Sequence, residues 1–352
     1  MSLYTRTRPL LFSLPAERAH ELGKTALRAA QSTETSRRLV RKRYCCRHPA
    51  LSVERFGLTF PTPVGVAAGF DKNGEVPHAL ADLGFGFTEV GTVTPSPQTG
   101  NPKPRLFRLR EDQGMINRLA FNGEGADRVA DRLAGGLPDV PVGVNVGTMN
   151  DADAEQAVGE YRHVLDRLAE YADYAVVNVS CPNTPDEYDE QSPEHLRAVF
   201  ETLDAREGRT PVLVKVGPDA DRPALAELVG IVHEFDIAGI VATNTTTDHT
   251  DLRSANASQS GGVSGAPLEA KATATVRTLA GLTDLPIVGV GGVRDAETAY
   301  RKIRAGASLV QLYTGFVYGG PATAREIGRG LVDLLERDGF DTVDDAVGAD
   351  VE

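Results

Sequence analysis

The chain has 352 residues, of which 41% are hydrophobic, a composition typical of a globular protein rather than a disordered one. No apolar run approaches the roughly 20 residues of a membrane-spanning helix, and the N-terminus lacks the apolar core of a signal peptide. Its cysteines are Cys45, Cys46 and Cys181, too few for a disulfide framework, and its seven histidines lack metal-site spacing. We therefore expect a cytoplasmic protein without a bound metal.

Charge is unevenly distributed along the chain. It holds 49 acidic residues against 30 Arg and 7 Lys, a net charge of -12, and this acidic, lysine-poor composition predicts a halophilic protein kept soluble in high salt. Residues 1–50 are the exception, because eleven Lys and Arg stand against three Glu there, a charge of +8. Such a segment favours an anionic membrane surface as partner. Nucleic acid is not expected, because no aromatic residues interleave with the basic ones.

We predict a helical extension in residues 1–50. Residues 15–31 predict a helix with Pro15 in its first turn, and residues 37–43 are expected to begin a second. One side of the segment is apolar, formed by Leu10, Leu11, Phe12, Leu14, Ala19, Leu22, Ala26 and Leu27. This pattern fits either a helix packed on the rest of the protein or a small membrane-surface module. Residues 51–60 then predict a pair of short strands that could close a barrel floor.

Residues 51–352 predict an α/β fold, a (β/α)8 TIM barrel. Short runs rich in Val and Ile, nearly continuous in apolar character, alternate with helical patterns, as expected for strands buried on both faces. The eight runs are residues 63–70, 87–95, 140–147, 174–183, 211–218, 239–245, 286–292 and 308–315. A doubly wound open sheet is the structural rival, but it usually has fewer strands and a glycine-rich first turn that is absent here.

Polar side chains stand at the ends of five of these runs. Asn145 and Lys215 lie inside the third and fifth runs, and polar stretches follow the first, fourth and sixth at residues 71–74, 178–183 and 243–246. Because the active site of such a barrel lies at the carboxyl ends of its strands, these groups should meet at one mouth. A buried lysine or amide costs free energy unless it is paired, so a bound polar ligand would explain them.

Glycines follow the last two strands, at residues 289–292 and Gly315, and a third cluster occupies residues 261–265. Loops at these positions commonly bind phosphate through backbone N–H groups. A phosphorylated planar cofactor such as FMN would use the phosphate end, the asparagines and the lysine together.

With these motifs in place, the chain resembles class 2 dihydroorotate dehydrogenases from Phe12 to about Asp350. The matching stretches are residues 65–75, 91–97, 100–109, 116–122, 243–246, 261–267 and 305–315, and residues 14–20 resemble the helical extension that distinguishes class 2. The resemblance implies oxidation of dihydroorotate to orotate with FMN. A quinone would accept the electrons. The extension would admit this quinone and contact the cytoplasmic side of the cell membrane peripherally.

The resemblance also implies site residues. The FMN contacts would be Ala68, Gly69, Phe70, Asp71, Lys72, Thr92, Asn145, Asn178, Lys215, Thr243, Gly265, Gly292, Tyr313 and Thr314. Dihydroorotate would be held by Lys72, Asn117, Arg118, Leu119, Ala120, Phe121, Asn183, Asn244 and Thr245, and Arg108 would lie near a quinone tunnel. A carboxylate and two ring carbonyls need donors, which lysine, amide and hydroxyl groups supply.

Cys181 departs from class 2. In the family a base removes a proton alpha to the substrate carbonyl while a hydride leaves the adjacent carbon for the flavin; class 2 uses serine as that base. Cys181 at this position resembles class 1, whose soluble members use fumarate or NAD. A thiol with a pKa near ~8.5 deprotonates more easily than an alcohol. The loop at residues 184–192 also differs from the class 2 loop.

Several alternatives stay open at this stage. A class 1-type enzyme is the nearest, and a dihydropyrimidine or dihydrouridine oxidoreductase would share the fold but should lack the stretches around Asn117 and Asn244. A sugar-phosphate lyase with a Schiff base on Lys215 is more remote, as is a non-catalytic phosphate-binding barrel. The last two would be colourless proteins.

Overall fold

A computed structural model describes residues 3–180, 190–204 and 210–351. The extension begins with three helices, α1 (Leu3–Ser13), α2 (Ala16–Gln31) and α3 (Glu34–Tyr44). The Thr33 hydroxyl caps α3 by accepting a hydrogen bond from the Ser36 N–H. The two predicted helices are therefore confirmed, as α2 and α3, whereas α1 was not predicted. No helix in the described residues is long and apolar enough to cross a membrane.

The strands of the described chain form a hairpin, a barrel and a small sheet. In chain order they are β1 (Val53–Arg55), β2 (Leu58–Phe60), β3 (Val64–Asp71), β4 (Phe87–Val93), β5 (Leu106–Leu109), β6 (Gly114–Asn117), β7 (Val142–Val146), β8 (Tyr174–Asn178), β9 (Val212–Val216), β10 (Gly239–Ala242), β11 (Gly262–Gly265), β12 (Ile287–Val290) and β13 (Ala307–Leu312). Eight of them close a parallel barrel in the order β3-β4-β7-β8-β9-β10-β12-β13. They are the eight predicted runs, so the TIM barrel is confirmed.

Helices surround this barrel. They are α4 (Pro77–Asp82), α5 (Ala126–Leu133), α6 (Ala154–Leu168), α7 (Pro193–Asp204), α8 (Arg222–Glu234), α9 (Glu269–Ala280), α10 (Ala296–Arg304), α11 (Thr314–Gly319), α12 (Thr323–Asp338) and α13 (Val343–Ala346). Sequence-encoded caps fix several of their starts; Asp153 and Gln156 form a reciprocal capping box at α6. Their apolar faces pack on the Val- and Ile-rich strands in one continuous core.

Aromatic side chains close the barrel floor. The β1–β2 hairpin brings Phe60 edge-on to Phe87, with ring centroids 5.2 Å apart, and Phe56 within 6.4 Å of the Tyr174 ring. Glycines make room for the floor rings: a Cβ at Gly65 would lie 2.4 Å from the Phe87 ring. The predicted strand pair therefore lies at the floor, and the functional site must open at the opposite end.

A second sheet, which the sequence did not predict, stands beside that opposite end. Strands β11, β6 and β5 pair antiparallel in that order, and they carry their own small apolar cluster of Leu109, Ile116 and Val263. Tyr318 donates its hydroxyl to the carbonyls of Leu109 and Gly114, which ties this sheet to α11. The sheet forms one wall of the cavity described next.

Candidate active site

The carboxyl ends of the barrel strands surround one polar cavity. Among the predicted residues it is lined by Ala68, Gly69, Lys72, Thr92, Asn117, Leu119, Ala120, Phe121, Asn178, Lys215, Thr243, Asn244, Thr245, Gly265, Gly292, Tyr313 and Thr314. They come from both halves of the barrel and from β6 and β11 of the second sheet. The fold thus brings together residues spread over most of the chain, as expected for the mouth of such a barrel.

Glycines shape the end of the cavity beyond β12 and β13. Gly265 has φ +90°, and a Cβ there would lie 2.5 Å from the Gln113 carbonyl oxygen. Gly292 has φ +78°, and its Cβ would lie 2.2 Å from that of Glu269. Only glycine fits either position, so the backbone itself forms the wall there. A backbone wall of this kind suits a phosphate group.

The opposite part of the cavity carries charge and strained backbone. The Lys72 ammonium donates to the Asn122 side-chain oxygen at 2.5 Å, and Asn117, the last residue of β6, lines the same cavity. Ala120 and Phe121 both have positive φ, 54° and 46°, a conformation that L-residues rarely adopt outside functional loops. This part therefore suits a small anion with polar edges.

Hydrogen-bonded amides line the wall between these two ends. The Thr92 hydroxyl donates to Asn145 at 2.5 Å, and the Asn178 amide donates to Thr92 at 3.2 Å. The Asn244 amide in turn donates to Asn178 at 3.2 Å. Lys215 lies next to Asn178 in the β8–β9 pairing and is almost completely buried. The wall can therefore offer both donors and acceptors to a planar ring.

Four predicted contacts do not line this cavity directly. Asp71 is fully buried, and its carboxylate accepts the N–H groups of Glu75 and Val76, so it shapes the loop after β3. Phe70 faces a second, apolar pocket instead. Asn145 lies behind Thr92, as described above. The Arg118 guanidinium turns away to the Pro104 carbonyl at 3.2 Å and stacks on a neighbouring ring. Their direct contact with a ligand is therefore not supported.

Two predicted residues, Cys181 and Asn183, lie outside the described residues. Ser180, which directly precedes Cys181, is described; its hydroxyl donates to the Lys215 carbonyl at 2.9 Å, and its carbonyl accepts from Asn244 at 2.8 Å. Ser180 is therefore held against Lys215 and Asn244, two residues of the cavity wall.

A second pocket, of about 430 Å³, lies between the extension and the barrel. It is lined mostly by apolar side chains of α1, α2 and α11, and it shares Leu106, Met115 and Tyr313 with the polar cavity. Arg108 lines it, donating to the Leu14 carbonyl at 2.8 Å with its guanidinium 4.5 Å from the Phe12 ring centroid. The Nε of Arg108 has no hydrogen-bond partner among the described residues.

His20 lies in this apolar pocket, 5.1 Å from the Phe70 ring and 6.1 Å from the Tyr313 ring, measured between centroids. Burial, with a smaller contribution from the charges of Lys24 and Lys72, lowers the pKa of His20 to about 4. The imidazole is therefore neutral near pH 7, so that Arg108 is the charged group among the residues that line this mostly apolar pocket. Sequence analysis missed His20, although its place on the apolar side of the predicted helix marked it.

Further cavity residues of the second sheet and of β13 were not predicted, namely Leu106, Met115, Ser264, Gln311 and Leu312. The first three belong to strands that were not recognised. Gln311 had a signal, because it is a polar residue inside the last apolar run.

A closed parallel barrel with a polar mouth, a glycine-walled end and a buried lysine defines a cofactor-binding barrel enzyme. The family model described as dihydroorotate dehydrogenase matches residues 50–335. The chain therefore belongs to the dihydroorotate dehydrogenase family.

Relatives and solved structures agree with this assignment. The chain is 52% identical to a dihydroorotate dehydrogenase (quinone) of Natronomonas pharaonis over 100% of both chains. It is 51% identical to one of Halobacterium salinarum, over 99% of this chain and 100% of that protein. Ligand-free DHODH from Eimeria tenella has a TM-score of 0.81 at 37% identity, covering 91% of this chain and 99% of that one. The complex of the Eimeria enzyme with ferulenol gives 0.82 at 36%, covering 91% and 96%. These haloarchaeal relatives fit the predicted halophilic character.

Proposed function

We propose that the chain oxidises (S)-dihydroorotate to orotate with FMN and passes the electrons to a quinone, in pyrimidine biosynthesis. The observation that carries this proposal is the contact between the two pockets. A polar cavity suited to a flavin and an anionic ring adjoins an apolar pocket suited to a quinone, and Leu106, Met115 and Tyr313 line both. Electrons would therefore leave the flavin site through a wall one side chain thick.

The residues of the polar cavity fit FMN. The backbone wall at Gly265 and Gly292, which a Cβ would fill, would receive the phosphate, and the Ser264 and Thr314 hydroxyls, 2.8 Å apart, stand beside it. Lys215 and the amide wall would hold the ring. When bound, FMN supplies a hydride acceptor. The Lys215 ammonium would stabilise the negative charge of the reduced ring.

The remaining residues would position dihydroorotate. Lys72 would pair with the substrate carboxylate, and Asn117, Asn244 and Thr245 would bind the polar edges of the ring. Cys181, by its place in the family motif, would remove the proton alpha to the carbonyl. Its thiolate is the form that accepts a proton, and a thiol reaches that form nearer neutral pH than an alcohol.

The extension is proposed to contact the cytoplasmic side of the cell membrane. The exposed large hydrophobic side chains of the described chain all lie on it: Leu10 is 75% exposed, Leu22 53% and Leu39 65%. Leu22 also lines the apolar pocket, so the same face would meet lipid and admit a quinone. Part of the basic charge is already used within the protein, since Arg37 and Arg41 both pair with the buried Asp82. We therefore expect the exposed apolar residues to contribute more to membrane contact than the net charge of the extension does.

The acceptor assay tests the proposal. In high salt, dihydroorotate-dependent orotate formation should require a soluble quinone analogue and should not proceed with fumarate or NAD. Turnover with fumarate or NAD instead would support a class 1-type enzyme, the alternative suggested by a cysteine at position 181. For the membrane step, the protein should float with anionic lipid vesicles, and Leu39→Ser should float less while its activity with a soluble quinone stays unchanged. Equal flotation of both proteins would contradict that step.

A further inference from the structure

A fully buried carboxylate, Glu89, lies inside the barrel and has no part in the mechanism above. On β4 it comes two residues after Phe87, so it points inward from the layer above the aromatic floor. One of its oxygens accepts the Asn145 amide at 2.8 Å, and the other accepts the Gln311 amide at 2.6 Å. Burying a carboxylate is costly even when it is hydrogen-bonded, which calls for a reason.

The two bonds fix the direction of a hydrogen-bond chain. Both oxygens of Glu89 accept from amides, so Asn145 turns its NH2 group to Glu89 and its oxygen to Thr92. The Thr92 hydroxyl then has to donate to that oxygen, at 2.5 Å, which leaves its own oxygen to accept from Asn178 at 3.2 Å. The orientation of each group follows from the one before it.

The chain continues to the cavity wall. With its NH2 group toward Thr92, Asn178 presents its oxygen to the Asn244 amide at 3.2 Å, and the Asn244 oxygen accepts the Thr245 N–H at 2.8 Å. Thr92, Asn178 and Asn244 all line the cavity. The chain is thus fixed at both ends: the Ser180 carbonyl and the Thr245 N–H hold Asn244, and Glu89 sets the directions of Asn145 and Thr92 at the other end. A neutral amide in place of Glu89 would let Asn145 and Thr92 turn.

We propose that Glu89 is a positioning residue: as an acceptor of two amide hydrogen bonds it fixes the directions of Asn145 and Thr92, and with them the donor and acceptor pattern that this part of the wall offers to a bound heterocycle. This inference rests on the proposed function, since the heterocycle is taken to be the flavin ring and its substrate. Glu89 touches neither; it acts through Asn145 and, on the other side of the barrel, through Gln311.

The test compares two variants of the full-length holoprotein in high salt. Glu89→Gln keeps the size but offers one acceptor and one donor, so Asn145 can turn either way. Glu89→Gln combined with Gln311→Glu returns a carboxylate to the pair. The introduced glutamate can only accept, so it takes the NH2 group of the introduced glutamine, whose oxygen then faces Asn145 as in the wild type. Flavin release on dilution gives the dissociation constant of FMN through the rise in fluorescence, and the flavin absorption maximum is recorded with and without orotate.

We expect Glu89→Gln to weaken FMN binding at least about fivefold, because one acceptor oxygen is replaced by a donor and Asn145 and Thr92 lose their single orientation. Its absorption maximum should shift. The double variant should return the dissociation constant to within about twofold of the wild type and restore the absorption maximum.

A dissociation constant for Glu89→Gln within about twofold of the wild type would overturn the proposal, as would a double variant no better than the single one. If only the double variant folds, its values decide by the same limits, and failure of both to fold would assign the pair to stability instead. A wild-type protein that binds no FMN would instead refute the proposed function.

Discussion

The docking of α1 can be disturbed without touching the polar cavity, through Gly320. This glycine has φ 81° and ψ -164°, and a Cβ there would lie 2.3 Å from two ring carbons of Tyr4 on α1. Carbon atoms in contact need about 3.5–4.0 Å, so the ring would have to move by more than about 1 Å. The Tyr4 hydroxyl donates to the Val317 carbonyl at 2.5 Å, a bond that such a shift would break.

The magnitude follows from two terms. The lost hydrogen bond is worth about 1 kcal/mol, and an alanine in a backbone region reserved for glycine costs about 1–3 kcal/mol. We therefore expect Gly320→Ala to lower the free energy of unfolding by about 2–4 kcal/mol and to raise the KM for quinone about tenfold or more, since about 1.4 kcal/mol corresponds to tenfold. Reduction of the flavin by dihydroorotate should stay unchanged, because α1 contributes to the apolar pocket alone.

Gly339→Ala is the matched control. Gly339 ends α12 at φ 79° in the left-handed region, and a Cβ there would meet nothing within 4 Å. It should cost about 1–2 kcal/mol of stability from backbone strain and leave both half-reactions intact. Stopped-flow absorbance at the flavin band separates the two half-reactions. Equal slowing of flavin reduction and reoxidation in Gly320→Ala, or a normal KM for quinone, would refute the assignment of α1 to the quinone pocket.

Three further predictions concern single residues. Cys181→Ala should abolish turnover while FMN stays bound, and Cys181→Ser should move the rate optimum to higher pH, since an alcohol loses its proton far less readily than a thiol with a pKa near ~8.5; normal turnover of Cys181→Ala would exclude Cys181 as the base. Arg108→Lys should raise the KM for quinone about tenfold without changing flavin reduction, because an ammonium cannot both donate to the Leu14 carbonyl and stack on a ring as the guanidinium does; steady-state kinetics with varied quinone measure this. Burial would raise the pKa of Glu75, but the hydrogen bond and charge of Lys24 lower it below its ordinary 4.5, so its stabilising effect is present above that pH and is lost as the pH falls through the lowered pKa. Glu75→Gln should therefore lose less stability than the wild type between about pH 5 and pH 3 in chemical denaturation, and parallel losses would contradict the pairing.

The barrel was predictable because its strands are buried on both faces, and eight continuous apolar runs leave little choice of fold. The strand ends were less predictable. The fourth run was predicted to reach residue 183, but β8 ends at Asn178. Val179 and Cys181 alternate with polar residues there, so the apolar pattern did not mark the end of the strand. The small sheet was missed since its strands are four residues each, and β11 contains two glycines. Its pairing depends on tertiary contacts rather than on local pattern.

Helix α1 was missed for a similar reason. It contains Pro9, and its docking depends on hydrogen bonds that only the folded protein supplies, from Tyr4 to Val317 and from Arg8 to Tyr318. At the site, sequence patterns placed groups at strand ends but could not say which way each side chain turns. Asn117 lines the cavity while Arg118, the next residue, turns away, as neighbouring residues of an extended segment do. Glu89 carried a signal that went unused, because it is a charged residue within a strand that is buried along its whole length.

An anaerobic absorbance spectrum of the protein purified in high salt tests the central claim most directly. We expect a flavin band that bleaches when dihydroorotate is added and returns when a quinone is added, but not when fumarate or NAD is added. A flavin band that dihydroorotate leaves unchanged would contradict the proposed substrate, and a folded protein without a flavin band would contradict the proposed cofactor.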